Sequence, residues 1–394
     1  MINEYFKDLT NKKSQIREMF MYGLKRKAEV GEENVFDYSL GNPSVPAPHE
    51  FDEALVDLTK GDSQAVHGYS PNLGNDEMRI SVAAYLSKVY GLPYTKDAIF
   101  PTTGAAGAIA HAIRAITKPG DEVITFAPYF PEYNHYVGGA GVKLVVVPAD
   151  TKGFQINFDE FKKRLNENTM AILINSPNNP SGVVYSTETI KELANILRDA
   201  SKKFGHEIYL ISDEPYREIV FKGIDAPFIS KYYDNTLMCY SYSKSMSIPG
   251  ERIGYVAVNP NCKDHKLIVE MMAQISRGIG HNCPSSIIQQ AVAKTVDITS
   301  DLSIYETNMN ILYDKLKELG FEIVKPGGTF YMFPKCLEED SQHFCEVAKS
   351  LDLLLVPSDT FGVKGYFRIA YCVTTDFVKR SLPKFEELAR IYKK

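Results

Sequence analysis

The feature that most constrains this chain is an alternation of short apolar runs with amphipathic helical segments through its middle. Ala105–Ile116 reads as a helix, and Glu122–Phe126 and Lys143–Val147 read as strands. Met170–Ile174 is a continuous apolar run bounded by turn residues. Thr187–Lys203 places Ile190, Leu193, Ala194, Leu197 and Ala200 at helical spacing. Further strands are expected at Glu207–Ile211, Leu237–Tyr242 and Ile253–Val258. Runs with no polar face must be buried on both sides. That predicts an α/β fold: a mostly parallel sheet flanked by helices.

The flanks read differently. Residues 1–30 form a polar, helix-prone arm ending near Gly31. Asp37–Pro48 is rich in turn residues and is expected to be a hinge or site loop. Asp76–Tyr90 has helical periodicity through Met78, Val82, Leu86 and Val89. After the alternation come helices at Lys263–Gln274, Pro284–Val296 and Asp301–Leu319. Strands follow at Phe321–Val324 and Thr329–Phe333, then a helix at Gln342–Leu351 and a strand at Tyr366–Ala370. This second pattern suggests a smaller α+β unit, since 394 residues exceed what one core usually serves.

Composition removes several function classes. The 44 Lys and Arg against 49 Asp and Glu give a net charge of −5, which disfavours nucleic acid as a partner. No apolar run reaches membrane-spanning length. The N-terminus mixes acids with bases and is not expected to be a signal peptide. Six cysteines lack CxxC or zinc-ligand spacing, so buried reduced thiols, no metal and a cytoplasmic location are expected.

In open parallel sheets, ligands bind beyond the carboxyl ends of the strands. Asn175-Ser-Pro-Asn-Asn179-Pro-Ser-Gly182, Ser212-Asp213-Glu214-Pro215-Tyr216 and Ser241-Tyr-Ser243-Lys244 each follow an apolar run, and Arg252-Ile-Gly254 comes next. Thr102-Thr-Gly104-Ala-Ala-Gly107 opens a helix. With Gly41-Asn-Pro43, Tyr69-Ser-Pro-Asn-Leu-Gly74 and Arg368, this ordered set resembles the class I/II aminotransferases of fold type I, which depend on pyridoxal phosphate. The resemblance covers nearly the whole chain and rests above all on SYSKSMSIPGERIGY.

The resemblance implies a seven-stranded sheet in a large domain, 46–290, and a smaller domain from both ends, 1–45 and 291–394. It makes Lys244 the Schiff-base lysine and proton carrier. Asp213 pairs with the pyridine nitrogen, and Asn179 and Tyr216 serve the cofactor's phenolic oxygen. The phosphate falls to Gly104, Ala105, Ala106, Ser241, Ser243 and Arg252, and to Tyr69 donated across a homodimer interface. An aromatic ring stacks on the cofactor. With 24 Tyr, 21 Phe and no Trp, Phe130 is the choice, with Tyr129 and Tyr133 as competitors. Arg368 takes the substrate α-carboxylate, helped by Asn179 and the backbone of Gly41. An internal Arg–Asp pair is the structural alternative for Arg368.

The implied reaction moves an amino group from an amino acid to a 2-oxo acid, 2-oxoglutarate being the expected acceptor. A carbon–sulfur β-lyase of the same fold is the alternative, and a non-catalytic regulator a remote one. Some dicarboxylate-specific relatives carry a lysine in the loop that here reads Gly104-Ala-Ala-Gly107. Arg79 and Arg277 are possible substitutes for that charge. No GxGxxG, GxSxG or HExxH string occurs, against nucleotide-dependent dehydrogenases and common hydrolases.

Overall fold

The computed structural model describes residues 2, 4–11 and 14–393. At its centre is a seven-stranded sheet: β1 (Ile99–Thr102), β2 (Glu122–Phe126), β3 (Lys143–Val147), β4 (Thr169–Asn175), β5 (Tyr209–Asp213), β6 (Thr236–Ser241) and β7 (Gly254–Val258). The spatial order is β1-β7-β6-β5-β4-β2-β3. Only β7 runs against its neighbours; the other adjacent pairs are parallel.

Alternate residues of the buried strands feed two cores. Ala171, Leu173, Ile211, Leu237 and Val256 pack on one face with helix Gly104–Ile116. Ile172, Ile174 and Leu210 pack on the other against Ile190, Leu193 and Leu197 of helix Thr187–Phe204. That helix starts where Ser186 accepts from the Thr189 N–H and stops at Gly205 in a left-handed conformation. A third core joins helices Asp76–Tyr90 and Ser286–Lys294.

The two ends of the chain meet. Phe36 and Asp37 pair in parallel with Leu353 and Leu354. Phe36 and Tyr38 share a core with Leu312, Phe344 and Phe385. A three-stranded antiparallel sheet places Phe367–Ala370 between Val356–Pro357 and Tyr331–Met332.

Two expectations need correction. Phe321–Val324 is not a strand. Phe321 is held by packing on Phe344 and Phe367, and the segment bonds to residue 335 through the Lys335 N–H on the Glu322 carbonyl without forming a ladder. The strand expected over Thr329–Phe333 is only Tyr331–Met332. Conversely β1 was not expected, because it is four residues long and contains Pro101. It sits at the sheet edge, where a missing N–H costs no ladder bond. Among the described residues no helix is long and apolar enough to cross a membrane, no acid/His/Cys group could hold a metal, and all six cysteines are unpaired.

Gly254 fixes how closely the sheet approaches the helix at Gly104. A Cβ there would stand 2.2 Å from the Tyr240 carbonyl oxygen and 2.9 Å from the Gly104 Cα. Both obstacles are backbone, so neither can swing away. Gly254→Ala is expected to destabilise the protein by about 2–3 kcal/mol. An unchanged urea midpoint would contradict this packing.

Candidate active site

Three neighbouring strands end with polar residues in register. Asn175 of β4 pairs with Asp213 of β5, and Asp213 with Cys239 of β6, two residues before Ser241. The Asn175 side-chain amide donates to the Asp213 backbone carbonyl at 2.8 Å. It also accepts from the Asn179 N–H at 2.7 Å, which ties the following turn to the strand. A cleft of about 320 Å³ opens at this edge.

The structure brings almost all the expected residues to that cleft. Gly41, Ala105, Ala106, Phe130, Asn179, Asp213, Tyr216, Ser241, Ser243, Lys244, Arg252 and Arg368 line it. Gly104 sits just behind, as the first residue of the helix whose next two residues face the cleft. Tyr69 does not join them; it is fully exposed outside this chain's cleft.

Lys244 follows β6 in a single helical turn, Tyr242–Ser245, that Ser241 starts by accepting from the Ser243 N–H at 3.1 Å. Its Nζ donates to the Gly41 carbonyl at 2.7 Å and lies 5.4 Å from the Phe330 ring centre. Burial, with the charges of Arg252 and Arg368 adding to it, brings the ammonium down to about 8. Lys244 is therefore a lysine that spends part of its time neutral near physiological pH.

Asp213 is buried. Its Oδ2 accepts from the Tyr133 hydroxyl at 2.6 Å, and its Oδ1 is buried with no partner. Burial raises this carboxyl to about 7, even though the Tyr133 hydrogen bond acts to lower it. The three rings weighed for stacking stand in different surroundings. Phe130 faces the cleft, Tyr133 spends its hydroxyl on Asp213, and the Tyr129 hydroxyl accepts from Asn134.

Arg368 is 2% exposed. Its Nη1 donates to Asn179 Oδ1 at 3.2 Å and its Nη2 to the Ser39 carbonyl at 2.6 Å, while Nε has no partner. Tyr331 and Phe361 flank the guanidinium at 4.7 and 5.2 Å. No acidic side chain pairs with it among the described residues, so the internal Arg–Asp pair is not formed. Tyr216 is buried with its hydroxyl 3.5 Å from that of Tyr331. Arg252 adopts a left-handed backbone that turns its guanidinium toward the helix start, with Nη2 3.5 Å from the Thr103 carbonyl.

Sequence reasoning did not assign Tyr133 to Asp213, nor place Asn175, Tyr331 or Arg17 at the site. Asn175 had a signal, since it terminates an apolar run. Arg17 had none, because the arm carrying it lies far from the motifs in sequence.

The buried Asp213 sets a pH dependence for the ligand-free protein. Its folded pKa, about 7, lies above the ordinary carboxylate value. Its contribution is therefore fully present below about pH 4 and is lost as pH rises toward 7. Asp213→Asn removes that loss. The variant should be more stable than the parent at pH 8 by on the order of a few kcal/mol, and alike near pH 4, in paired urea titrations.

The profile described as "Aminotransferase class I and II" matches residues 33–384. The chain is 29% identical over 383 residues to the probable N-acetyl-LL-diaminopimelate aminotransferase of Bacillus subtilis, covering 94% of this chain and 93% of that one. It is also 29% identical over 364 residues to the aspartate aminotransferase of Thermotoga maritima, covering 90% and 91%. Among solved structures, an amino transferase from Eubacterium rectale superposes with a TM-score of 0.97 at 47% identity over 100% of both chains. The aspartate aminotransferase of Thermus thermophilus with maleate gives 0.85 at 25% identity, covering 96% and 97%. A cleft holding a near-neutral lysine, a buried carboxylate and an unpaired arginine thus lies in a chain that belongs to the class I and II aminotransferases, enzymes dependent on pyridoxal phosphate.

Proposed function

We propose that this cleft transfers the α-amino group of an amino acid to a 2-oxo acid, with 2-oxoglutarate as the acceptor. The observation that carries the reading is Arg368: a buried guanidinium with no acidic partner among the described residues, facing the same cleft as Lys244. A buried arginine left without a carboxylate is costly unless a ligand supplies one. Its planar fork suits an α-carboxylate.

The residues fit pyridoxal phosphate. Asp213 presents a buried, unpartnered oxygen that can accept from a protonated ring nitrogen. The first turn of helix Gly104–Ile116 has no side-chain cap, which leaves its N–H groups for a phosphate beside Ser241, Ser243 and Arg252. Tyr216 and Asn179 line the same cleft and would serve the phenolic oxygen, and Phe130 would offer a ring face. When bound, the cofactor supplies an electron sink that lets the amino acid's Cα–H bond ionise.

The remaining work falls to this chain's own groups. Arg368 and Asn179 bind and orient the α-carboxylate. Asp213, held by Tyr133, would pair its free oxygen with the ring nitrogen of the bound cofactor, a positive partner that would favour its charged form. Lys244 holds the cofactor between turnovers; once released, its Nζ takes the proton from Cα and returns one, as its value near 8 permits. Arg368→Lys should lower kcat/KM for every amino acid roughly 100-fold, because the bidentate contact is lost, with cofactor content unchanged. Unaltered kinetics would reject the role of Arg368, and pyruvate release from cystathionine without an acceptor would point instead to the β-lyase.

The dicarboxylate acceptor is supported by Arg17. It is exposed on the wall of the cleft and has no acidic partner among the described residues. The two arginines weighed from sequence lie elsewhere. Arg79 is buried on Asp76 and the carbonyls of Ile99 and Lys96; Arg277 contacts Gln274 outside this cleft. Arg17→Gln should raise KM for 2-oxoglutarate about tenfold, with pyruvate unaffected.

We further read the chain as a homodimer, with 46–290 as the cofactor domain and 1–45 with 291–394 as the second. The exposure of Tyr69 supports that reading, because a phosphate ligand so placed must serve another copy. Mixing inactive Tyr69→Phe and Lys244→Ala chains should restore part of the activity; no recovery would contradict shared sites.

A further inference from the structure

Thr103 immediately precedes helix Gly104–Ile116 and occupies its N-cap position. A threonine there ordinarily turns its oxygen onto the second or third N–H of the helix. Thr374 does so in this same chain, accepting from the Phe377 N–H, as do Ser186 and Asn75 at their own helices. Thr103 makes no such bond. Its Oγ1 instead lies 2.5 Å from Nε2 of His281, a residue on a loop far away in the chain.

Both sides of that contact are built to hold. The His281 N–H donates to the Ser276 carbonyl at 2.9 Å, and the buried Ser276 hydroxyl donates to the carbonyls of His281 and, at 3.0 Å, Asn282. The Cys283 thiol donates to the Pro71 carbonyl at 3.0 Å, closing the other end of the loop. On the helix side, a Cβ at residue 107 would stand 2.7 Å from Thr103 Oγ1. Only glycine leaves room for the hydroxyl in the place where His281 meets it.

We infer that His281 is a positioning residue that keeps the anion site open by holding the Thr103 hydroxyl off the first turn of the helix. Whichever of the two groups carries the proton, their bond fixes the Thr103 rotamer. The N–H groups of Ala105 and Ala106, which face the cleft, then stay free for the cofactor's phosphate. Without His281 the hydroxyl can turn inward and compete with the phosphate for the same donors. The inference rests on the cofactor reading given above and adds to it a residue outside the cleft.

The test is a double-mutant cycle on ligand-free protein titrated with pyridoxal phosphate and, separately, with pyridoxal. Binding is read by absorbance. His281→Ala should weaken pyridoxal phosphate binding about fivefold, the size of one restored cap, and leave pyridoxal binding unchanged. Thr103→Ala should bind both like the parent, and His281→Ala with Thr103→Ala should regain the parent's affinity, because the competitor is gone. His281→Gln, which can still hydrogen-bond to Thr103, should stay near the parent and controls for loss of the loop's fold. Parent-like affinity in His281→Ala, or a double variant as weak as the single, overturns the inference alone. Failure of the parent to bind pyridoxal phosphate overturns the cofactor reading together with it.

Discussion

The hydrogen bond from the Asn175 side chain to the Asp213 carbonyl joins the carboxyl ends of two parallel strands, and the site is arranged around it. Parallel register makes neighbouring strands end together, so the residues that follow their apolar runs share one edge. Asn175 serves two segments at once. Its amide grips β5, and its oxygen takes the Asn179 N–H, fixing the turn whose side chain contacts Arg368. One amide thus links the carboxylate at the cleft floor to the guanidinium on its wall.

That arrangement is held against local stability. Asp213 has one satisfied oxygen and one buried orphan, Arg368 keeps an unpartnered Nε, and Lys244 is pushed toward neutrality. Each is unfavourable in the ligand-free protein, since a buried charge needs a partner. Surrounding structure makes them persist: Tyr133 is locked beneath Asp213, Tyr331 and Phe361 flank Arg368, and β4 to β6 are buried through nearly their whole length. Sites strained in this way become stabilised when a ligand of complementary charge binds.

Much of this is legible in the sequence. The runs at 122–126 and 143–147 mark their strands to the residue, because continuous apolar stretches have no other place in a two-faced sheet. The order of polar residues after each run marked the floor of the cleft. The remaining features depend on tertiary contact. β1 is too short and carries proline, and Phe321 imitates a strand residue while serving only as packing. Tyr133 read as a ring for stacking, because nothing local shows that its hydroxyl meets a residue 80 positions away. His281 and Thr103 are 178 positions apart, and their pairing leaves no periodic trace.

The arm bearing Arg17 shows how a distant segment acquires a defined place. Helix Gln15–Val30 buries Met19 and Gly23 and is fastened at its far end, where Arg26 Nε meets Asp352 at 2.7 Å and Lys27 lies 3.8 Å from Asp37. Arg26 lies nine positions along this helix from Arg17, a rigid span of roughly 13.5 Å. Asp352 directly precedes the short strand Leu353–Leu354 that pairs with Phe36–Asp37, and Ser39 two residues later accepts from Arg368. The same few residues therefore set the position of the arm and that of Arg368. A shift of the chain ends must move both guanidinium groups together, so the spacing of the two cleft arginines is governed by one piece of the fold.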